Sequence, residues 1–481
     1  MQDKQQIFLD DMEVFLMNKK KTVRPFGFRD KLGYLFGDFG NDFTFILSSS
    51  FLLKFYTDVM GIEAYIVGIV MMIARIVDAF TDVAMGRICD KSKQTPVGKF
   101  KPWIRRMCGP VAISSFLIYQ SAFAGWSTPA KVAWLAVTYI LWGSIFYTSI
   151  NIPYGSMASA VSPEAGDRQS LSTFRSMGGL LAGVIIGAGV PMLAYREDAA
   201  GNPILDGGKF TVIAGVFSVL AVVCYLLCYY LTTERVKAES VVREDGKSDT
   251  IVDLFKRAFT NRSLLSIIAA SIVMLLSQLT MQQMAGYVYP NFYKSAEAQS
   301  ASTMFMMAGM LVAGALAKPL STKFGKAEVS VVSNALAVVV NVVLFLVRPE
   351  NVWVYAAFQF VAWLGLGVFT MVCWALITDV IDDMEVKNGV REDGSVYALY
   401  SWARKLGQAA SSGLSGALLS MIGYSEATAF DPEVTVGIFN ISVIVPAIGF
   451  ALLAAILWFW YPLHKKQVDA NITILKAKRG E

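Results

Sequence analysis

The chain has 481 residues, 55% apolar and only 16% charged, with a mean hydropathy of +0.50 and a formal net charge of +5. A soluble protein carries about 25% charged residues; here ten stretches of 19 or more residues contain no Asp, Glu, Lys or Arg, and each is long enough to cross a hydrocarbon core of ~30 Å as a helix. These features exclude a soluble enzyme, a nucleic-acid binder and a disordered chain.

In chain order, residues 1–31 are charged and lack an apolar core with a small-residue cleavage site. A cytoplasmic N-terminal segment with no removed signal peptide is expected. The first two spans, 32–57 and 64–86, are partly hidden by charges: Asp38, Asp42 and Lys54 in one, Arg75, Asp78 and Asp82 in the other. Uncharged runs at 107–130, 132–163, 176–195 and 210–233 complete an N-terminal six-helix bundle, 32–232. A charged, aromatic-poor central loop covers 233–262. Six further runs, 263–293, 298–317, 329–347, 351–378, 406–425 and 434–463, form a C-terminal six-helix bundle, 263–463, before a tail at 464–481. The expected fold is an all-α membrane protein of twelve transmembrane helices in two six-helix halves.

Alternating connections then place 32 lysines and arginines on the side of both termini and 6 on the other. Positive residues favour the cytoplasmic side, so both termini are expected to be cytoplasmic, in a multi-pass protein of the cytoplasmic (inner) membrane. Cys89, Cys108, Cys224, Cys228 and Cys373 are scattered and odd in number, which implies no disulfide framework. The single histidine, His464, lies in the tail, so no histidine metal site or proton relay is expected within the membrane.

Charges inside a membrane cost ~2.5–3.5 kcal/mol each on insertion scales and usually face a cavity with partners. In span two, Arg75, Asp78, Thr81 and Asp82 recur on one helical face. Two carboxylates on successive turns beside a hydroxyl can hold a small hard cation through oxygen ligands; the alternative is a structural Arg75–Asp78 ion pair with Asp82 at the cytoplasmic end. Span one offers Asp38, Asn41 and Asp42, span five begins with Arg175, and span eleven carries Ser401, Trp402, Arg404 and Lys405. Acids and bases so placed can neutralise each other across a central cavity or hydrogen-bond a polyhydroxylated ligand, although Arg175 and Arg404 can equally snorkel to the surface. Trp142, Tyr147, Tyr154, Trp374, Tyr397 and Tyr400 lie near these charges. Sugars stack on such rings, but most membrane aromatics are packing or interface residues.

Several segments together resemble one family. Tyr56-Thr57-Asp58-Val59-Met60-Gly61, Ala74-Arg75-Ile76-Val77-Asp78-Ala79 with Asp82, and Gly98-Lys99-Phe100-Lys101-Pro102-Trp103-Ile104 are the most specific. Gly37 with Gly40-Asn41-Asp42-Phe43, Tyr147-Thr148 with Asn151-Ile152-Pro153, Thr378-Asp379-Val380-Ile381-Asp382 and Arg404-Lys405-Leu406-Gly407-Gln408 add to them, and Gly86-Arg87-Ile88-Cys89-Asp90-Lys91 resembles a short cytoplasmic pattern of the wider superfamily. Over roughly 30–465 the chain is similar to the glycoside–pentoside–hexuronide:cation symporters of the major facilitator superfamily. The resemblance implies a cation-coupling site of Asp78, Thr81, Asp82 and Thr148. It implies substrate contacts from Asp42, Arg175 and Lys405, with Asn151 at a further sugar-binding position. Asn41, Tyr147, Trp374 and Ser401, which lie near these charges in the sequence, are added as candidate substrate contacts. Arg75 and Asp379 are expected as structural or gating charges. Three departures stand out: Thr81 replaces an amide of the cation site, Asn151 a sugar-binding acid and Gly155 a stacking tryptophan. Fewer acids, with Arg404 beside Lys405, suit an anionic sugar such as a uronide.

The function so implied is import of a glycoside, oligosaccharide or hexuronide by alternating access, coupled to Na⁺ or H⁺. No cofactor beyond that coupling cation is expected. The expected partners are the sugar, the monovalent cation and the lipid bilayer, with no nucleic acid, and the working unit a monomer. An exporter or antiporter on the same scaffold is the alternative, and a non-transporting membrane sensor a third reading. No nucleophile–base pair or phosphate-binding loop points to an enzyme.

Overall fold

The computed structural model describes residues 24–236, 261–389 and 393–479. The middle of the expected central loop and most of the N-terminal segment lie outside these residues. The described chain is helical apart from one short hairpin. Before the central gap come α1 (Phe28–Asp58), α2 (Ala64–Lys91), α3 (Lys101–Ile118), α4 (Thr128–Ile140), α5 (Thr148–Val161), α6 (Ala165–Ala194) and α7 (Gly207–Leu231). After it come α8 (Arg262–Tyr287), α9 (Ala296–Phe324), α10 (Lys326–Val347), α11 (Val352–Asn388), α12 (Asp393–Met421), α13 (Pro432–Ala455) and α14 (Lys465–Arg479). Antiparallel β1 (Tyr195–Glu197) and β2 (Pro203–Leu205) join α6 to α7.

Eight of the helical segments are long and apolar enough to cross a membrane, the continuous rod Thr128–Val161 among them. Four more long helices, α1, α2, α3 and α12, pack in the same bundle and hold most of the intramembrane charges. Three expected spans shift. The uncharged run 107–130 overshoots α3, which begins at Lys101 with Pro102 in its first turn and ends at Ile118; the polar but uncharged residues after it form a loop. The run 176–195 begins late, because α6 starts at Ala165 and Arg175 lies in its third turn rather than at its start. Likewise α12 starts at Asp393, so Ser401, Arg404 and Lys405 are inside the helix. In each case a run without charge marks apolar surroundings, whereas helix ends depend on backbone hydrogen bonding.

α4 and α5 are one rod interrupted by a π-helical turn, Leu141–Tyr147. Such a turn widens the helix locally and rotates the segment beyond it; here the turn carries Ser144 and leads into Thr148. The principal contacts between early and late helices join α2 to α12, α6 to α9 and α1 to α8. The first is backbone-close: a Cβ added at Gly416 would overlap the Ala64 carbonyl oxygen, and one at Gly68 would lie 2.8 Å from that of Ser412. Only glycine allows this approach, which brings α12 side chains within reach of α2.

Both described ends of the chain lie at the same end of the bundle. Arg24 donates to the Leu231 carbonyl and Arg262 to those of Phe459 and Trp460. At that end the Glu234 carboxylate accepts the backbone N–H groups of Lys99, Phe100 and Lys101 at 2.6–2.9 Å, satisfying donors at the start of α3. Fully buried Asp30 pairs with Arg24 and Arg235, both at 2.8 Å. The expected tail is the helix α14, docked through Asn471, whose amide donates to the Asp383 carboxylate. At the opposite end Phe55, Tyr119 and Phe210 pack ring against ring with centroids 5.2–5.4 Å apart.

Candidate functional site

Charged side chains from α1, α2, α6 and α12, with polar partners from α5, gather in the interior in two groups. The first is built on α2. Arg75 and Asp78, both about 4% exposed, form an ion pair at 3.2 Å. The guanidinium is boxed by the rings of Phe45, Tyr139 and Trp142, 5.0–5.8 Å away. The second Asp78 oxygen accepts a hydrogen bond from Ser144, presented by the π turn. One turn on, Asp82 accepts from the Thr148 hydroxyl at 2.7 Å and pairs with the Lys405 ammonium of α12 at 3.0 Å. The Thr148 hydroxyl also lies 3.1 Å from the Gly143 carbonyl. Thr81 turns its hydroxyl to the Asp78 carbonyl, 3.2 Å away. Of these groups, the carboxylates of Asp78 and Asp82 and the hydroxyls of Thr81 and Thr148 are the hard oxygens that could hold a small cation. Asp78 is thus in the structural ion pair with Arg75, and Asp82 joins a polar junction between early and late helices.

The second group is built on α1 and α6. Arg175 donates through Nε to Asp38 at 2.9 Å, and its guanidinium stacks 5.3 Å over Tyr154. Tyr154 in turn stacks on Tyr34 at 4.6 Å and donates to its carbonyl. The arginine is thus held within the bundle by a carboxylate and a ring, although 40% of its side chain stays exposed. Asp42, one turn beyond Asp38, makes no hydrogen bond or ion pair to the described residues and is only half-buried. Gly179 explains why both acids fit: a Cβ there would lie 2.6 Å from the Asp42 carboxylate and 3.3 Å from that of Asp38. Asn41 bridges three helices, donating to Asn151 at 3.3 Å and accepting from Tyr225 at 2.9 Å. Tyr147 is buried against Phe45 and Trp142.

The remaining expected residues fall elsewhere. Trp374, almost half exposed, packs with Tyr400 and beneath the Arg404 guanidinium, 5.8 Å from its ring. Ser401 is exposed with no hydrogen bond to the described residues. Asp379 lies apart from both groups, paired at 2.6 Å with Lys326 at the start of α10. Two features were not foreseen. Ser144 is an ordinary membrane serine by sequence, and only the π turn aims it at Asp78. Lys54, expected among the basic residues of the far side, is 1% exposed and pairs with Asp58 at 2.7 Å while donating to Asn291 and Tyr424.

Comparison with known proteins adds the family. A family profile described as MFS/sugar transport protein matches residues 33–465. The chain is 31% identical to the uncharacterized symporter YjmB of Bacillus subtilis over 93% of its own length and 95% of the relative's. It is 29% identical to the glucuronide carrier protein homolog of Escherichia coli, covering 91% and 93% of the two chains. The crystal structure of a D-xylose-proton symporter shares the fold with a TM-score of 0.63 at 15% identity, over 90% of this chain and 97% of that one. These relatives are transporters rather than enzymes. The chain belongs to the sugar-transport branch of the major facilitator superfamily, the glycoside–pentoside–hexuronide family that its motifs resemble.

Proposed function

We propose that the protein is a symporter of twelve spans with cytoplasmic termini in the inner membrane, working as a monomer, that imports an anionic sugar together with one monovalent cation, Na⁺ or H⁺. The observation that carries this reading is the Lys405–Asp82–Thr148 junction. The Lys405 ammonium rests on one oxygen of Asp82 while Thr148 donates to the other. A small cation bound at Asp82 competes with that ammonium for the same carboxylate. Its arrival frees Lys405, which then serves as counter-ion for the sugar. Each ligand thereby improves the site of the other, which is the thermodynamic content of symport. Alternating access then comes from rocking early helices against late ones about this junction.

Charge balance supports an anionic cargo. Four candidate acids of the spans, Asp38, Asp42, Asp78 and Asp82, are matched in number by four bases, Arg75, Arg175, Arg404 and Lys405, although among the described residues only three ion pairs form between them: Arg75–Asp78, Arg175–Asp38 and Lys405–Asp82. One cation with a monoanion leaves the interior neutral, whereas a cation with a neutral sugar adds an unpaired charge to a medium where that is costly. The name of the glucuronide carrier relative agrees with this chemistry.

The test is uptake of radiolabelled glucuronate into energised right-side-out vesicles, with and without a Na⁺ gradient and across pH. Accumulation driven by inward Na⁺ or H⁺, lost in Asp82→Asn, is expected. Efflux driven by an inward cation gradient would show an antiporter and defeat the proposal.

A further inference from the structure

Two rungs join span two to span four. Thr148 donates to Asp82 at 2.7 Å, and one turn earlier in each segment Ser144 donates to Asp78. The Asp82 rung is shared with Lys405, whereas the other is dry, with Asp78 2% and Ser144 3% exposed. The two oxygens of Asp78 keep different company. Oδ2 lies 3.2 Å from the Arg75 guanidinium, and Oδ1 meets the Ser144 hydroxyl, its one hydrogen-bond partner among the described residues. A cation that joins Asp78 must therefore take Oδ1, the oxygen that Ser144 holds.

Ser144 is built to hand that oxygen over. A hydroxyl has one proton to give, and this one has two acceptors on α2, because the Ala74 carbonyl, one turn before Asp78, lies 3.5 Å from Oγ. Rotating the O–H from Asp78 toward Ala74 frees Oδ1 and leaves a lone pair of Oγ where the proton had been. The space beside Oδ1 is kept by Gly143, the neighbour of Ser144 in the π turn: a Cβ there would lie 3.4 Å from Oδ1 and fill it. In so buried a place a carboxylate oxygen without a partner is costly, so hydroxyl and cation are alternatives for it. A proton needs only one carboxylate oxygen. A small hard metal cation stripped of water needs several oxygens at once, and Ser144 adds a third hydroxyl to those of Thr81 and Thr148 around the two acids.

We infer that Ser144 is a further oxygen ligand of the cation site, giving up Asp78 Oδ1 as the ion arrives, and that the coupling cation is Na⁺. The inference rests on the symport reading above and names the ion and a selectivity residue of that site.

The test is the melting temperature of the purified full chain in detergent against NaCl concentration, with choline chloride holding the ionic strength constant. An ion that binds only the folded state raises the melting temperature, and the concentration dependence returns its affinity. Wild type should be stabilised by Na⁺. Ser144→Ala should need roughly tenfold more Na⁺, the worth of one oxygen-to-charge contact, and Ser144→Thr, which keeps the hydroxyl, should stay near wild type. If the hydroxyl serves only to satisfy Asp78, alanine removes a competitor; Na⁺ then binds as tightly or more tightly, and the inference is overturned. Gly143→Ala leaves the hydrogen bond in place and fills the space beside Oδ1, so it should weaken Na⁺ by itself. It carries the test where Ser144→Ala does not fold, and an unchanged Na⁺ affinity in it is then the overturning result. A wild-type melting temperature indifferent to Na⁺, with sugar uptake driven by a pH gradient, would overturn the sodium site and leave symport with H⁺ standing. Uptake driven by neither ion would defeat the symport reading and the role of Ser144 with it.

Discussion

Among the single residues, Asp38 and Asp42 lie one turn apart yet stand in different circumstances. Arg175 belongs to Asp38, and Asp42 is left with free oxygens beside Gly179. Asp42→Asn should therefore weaken sugar binding by about ten- to a hundredfold, the value of one charge-assisted bond of ~1.5–3 kcal/mol, and leave the melting temperature unchanged. Asp38→Asn should instead lower stability by about 1–3 kcal/mol by stranding a half-exposed arginine, with much of that recovered in Asp38→Asn/Arg175→Gln. Thermal melts and sugar titrations on these variants check the assignment; a large loss of stability in Asp42→Asn would reverse it. The α2 acids divide in the same way. Asp78 holds Arg75 in a buried pair, so removing its charge is expected to destabilise the protein by about 3–5 kcal/mol. Asp82 faces Lys405 and Thr148 at a wetter place, and Asp82→Asn should fold normally while losing cation-stimulated sugar binding. Denaturation midpoints of the two variants, measured side by side, test the distinction.

The α-helices meet on close-packed seams, and one seam carries a latch. Near the last turn of α1, Lys54 is buried with Asp58, reaches Asn291 after α8 and Tyr424 after α12, and lies 4.5 Å from the centre of the Tyr287 ring. Asp58 also accepts from Tyr424 at 2.8 Å. This network ties early helices to late ones at the end opposite the termini. Lys54→Met strands Asp58 and loosens the tie, and the conformation open at that end should gain population. A cysteine placed at Ser50, labelled by a membrane-impermeant maleimide from outside, should react several-fold faster in the Lys54→Met background. The native cysteines are all buried, so the background reaction is low. An unchanged rate would show that the network stabilises one helix locally and ties nothing across the seam. The π turn of span four is the other element with a defined task, since it alone brings Ser144 and Thr148 to successive carboxylates of α2.

For the molecule as a whole, symport requires cation and sugar to raise each other's affinity by one shared factor. Isothermal titration of sugar with and without Na⁺, and of Na⁺ with and without sugar, should return the same ratio; unequal or unit ratios would count against coupling through Lys405 and Asp82. Most of the architecture behind this behaviour is local in origin. The spans, the lysine and arginine asymmetry and the charges that break the apolar runs are written in consecutive residues, because transfer to lipid is summed residue by residue. For that reason the candidate acids and bases on α1, α2, α6 and α12 are legible in the sequence alone. Partner choice is not. That Asp38 and Asp42 both fit against α6, with Arg175 answering only the first, depends on the missing side chain of Gly179, far along the chain from either acid. That Lys405 reaches Asp82 depends on Gly68 and Gly416 letting two helix backbones touch, and that Lys54 is a buried tie depends on three helix ends meeting. Hydropathy determines which segments enter the membrane; the steric fit between segments distant in sequence determines which charge answers which, because electrostatic pairing acts over a few ångströms that only packing can bring about.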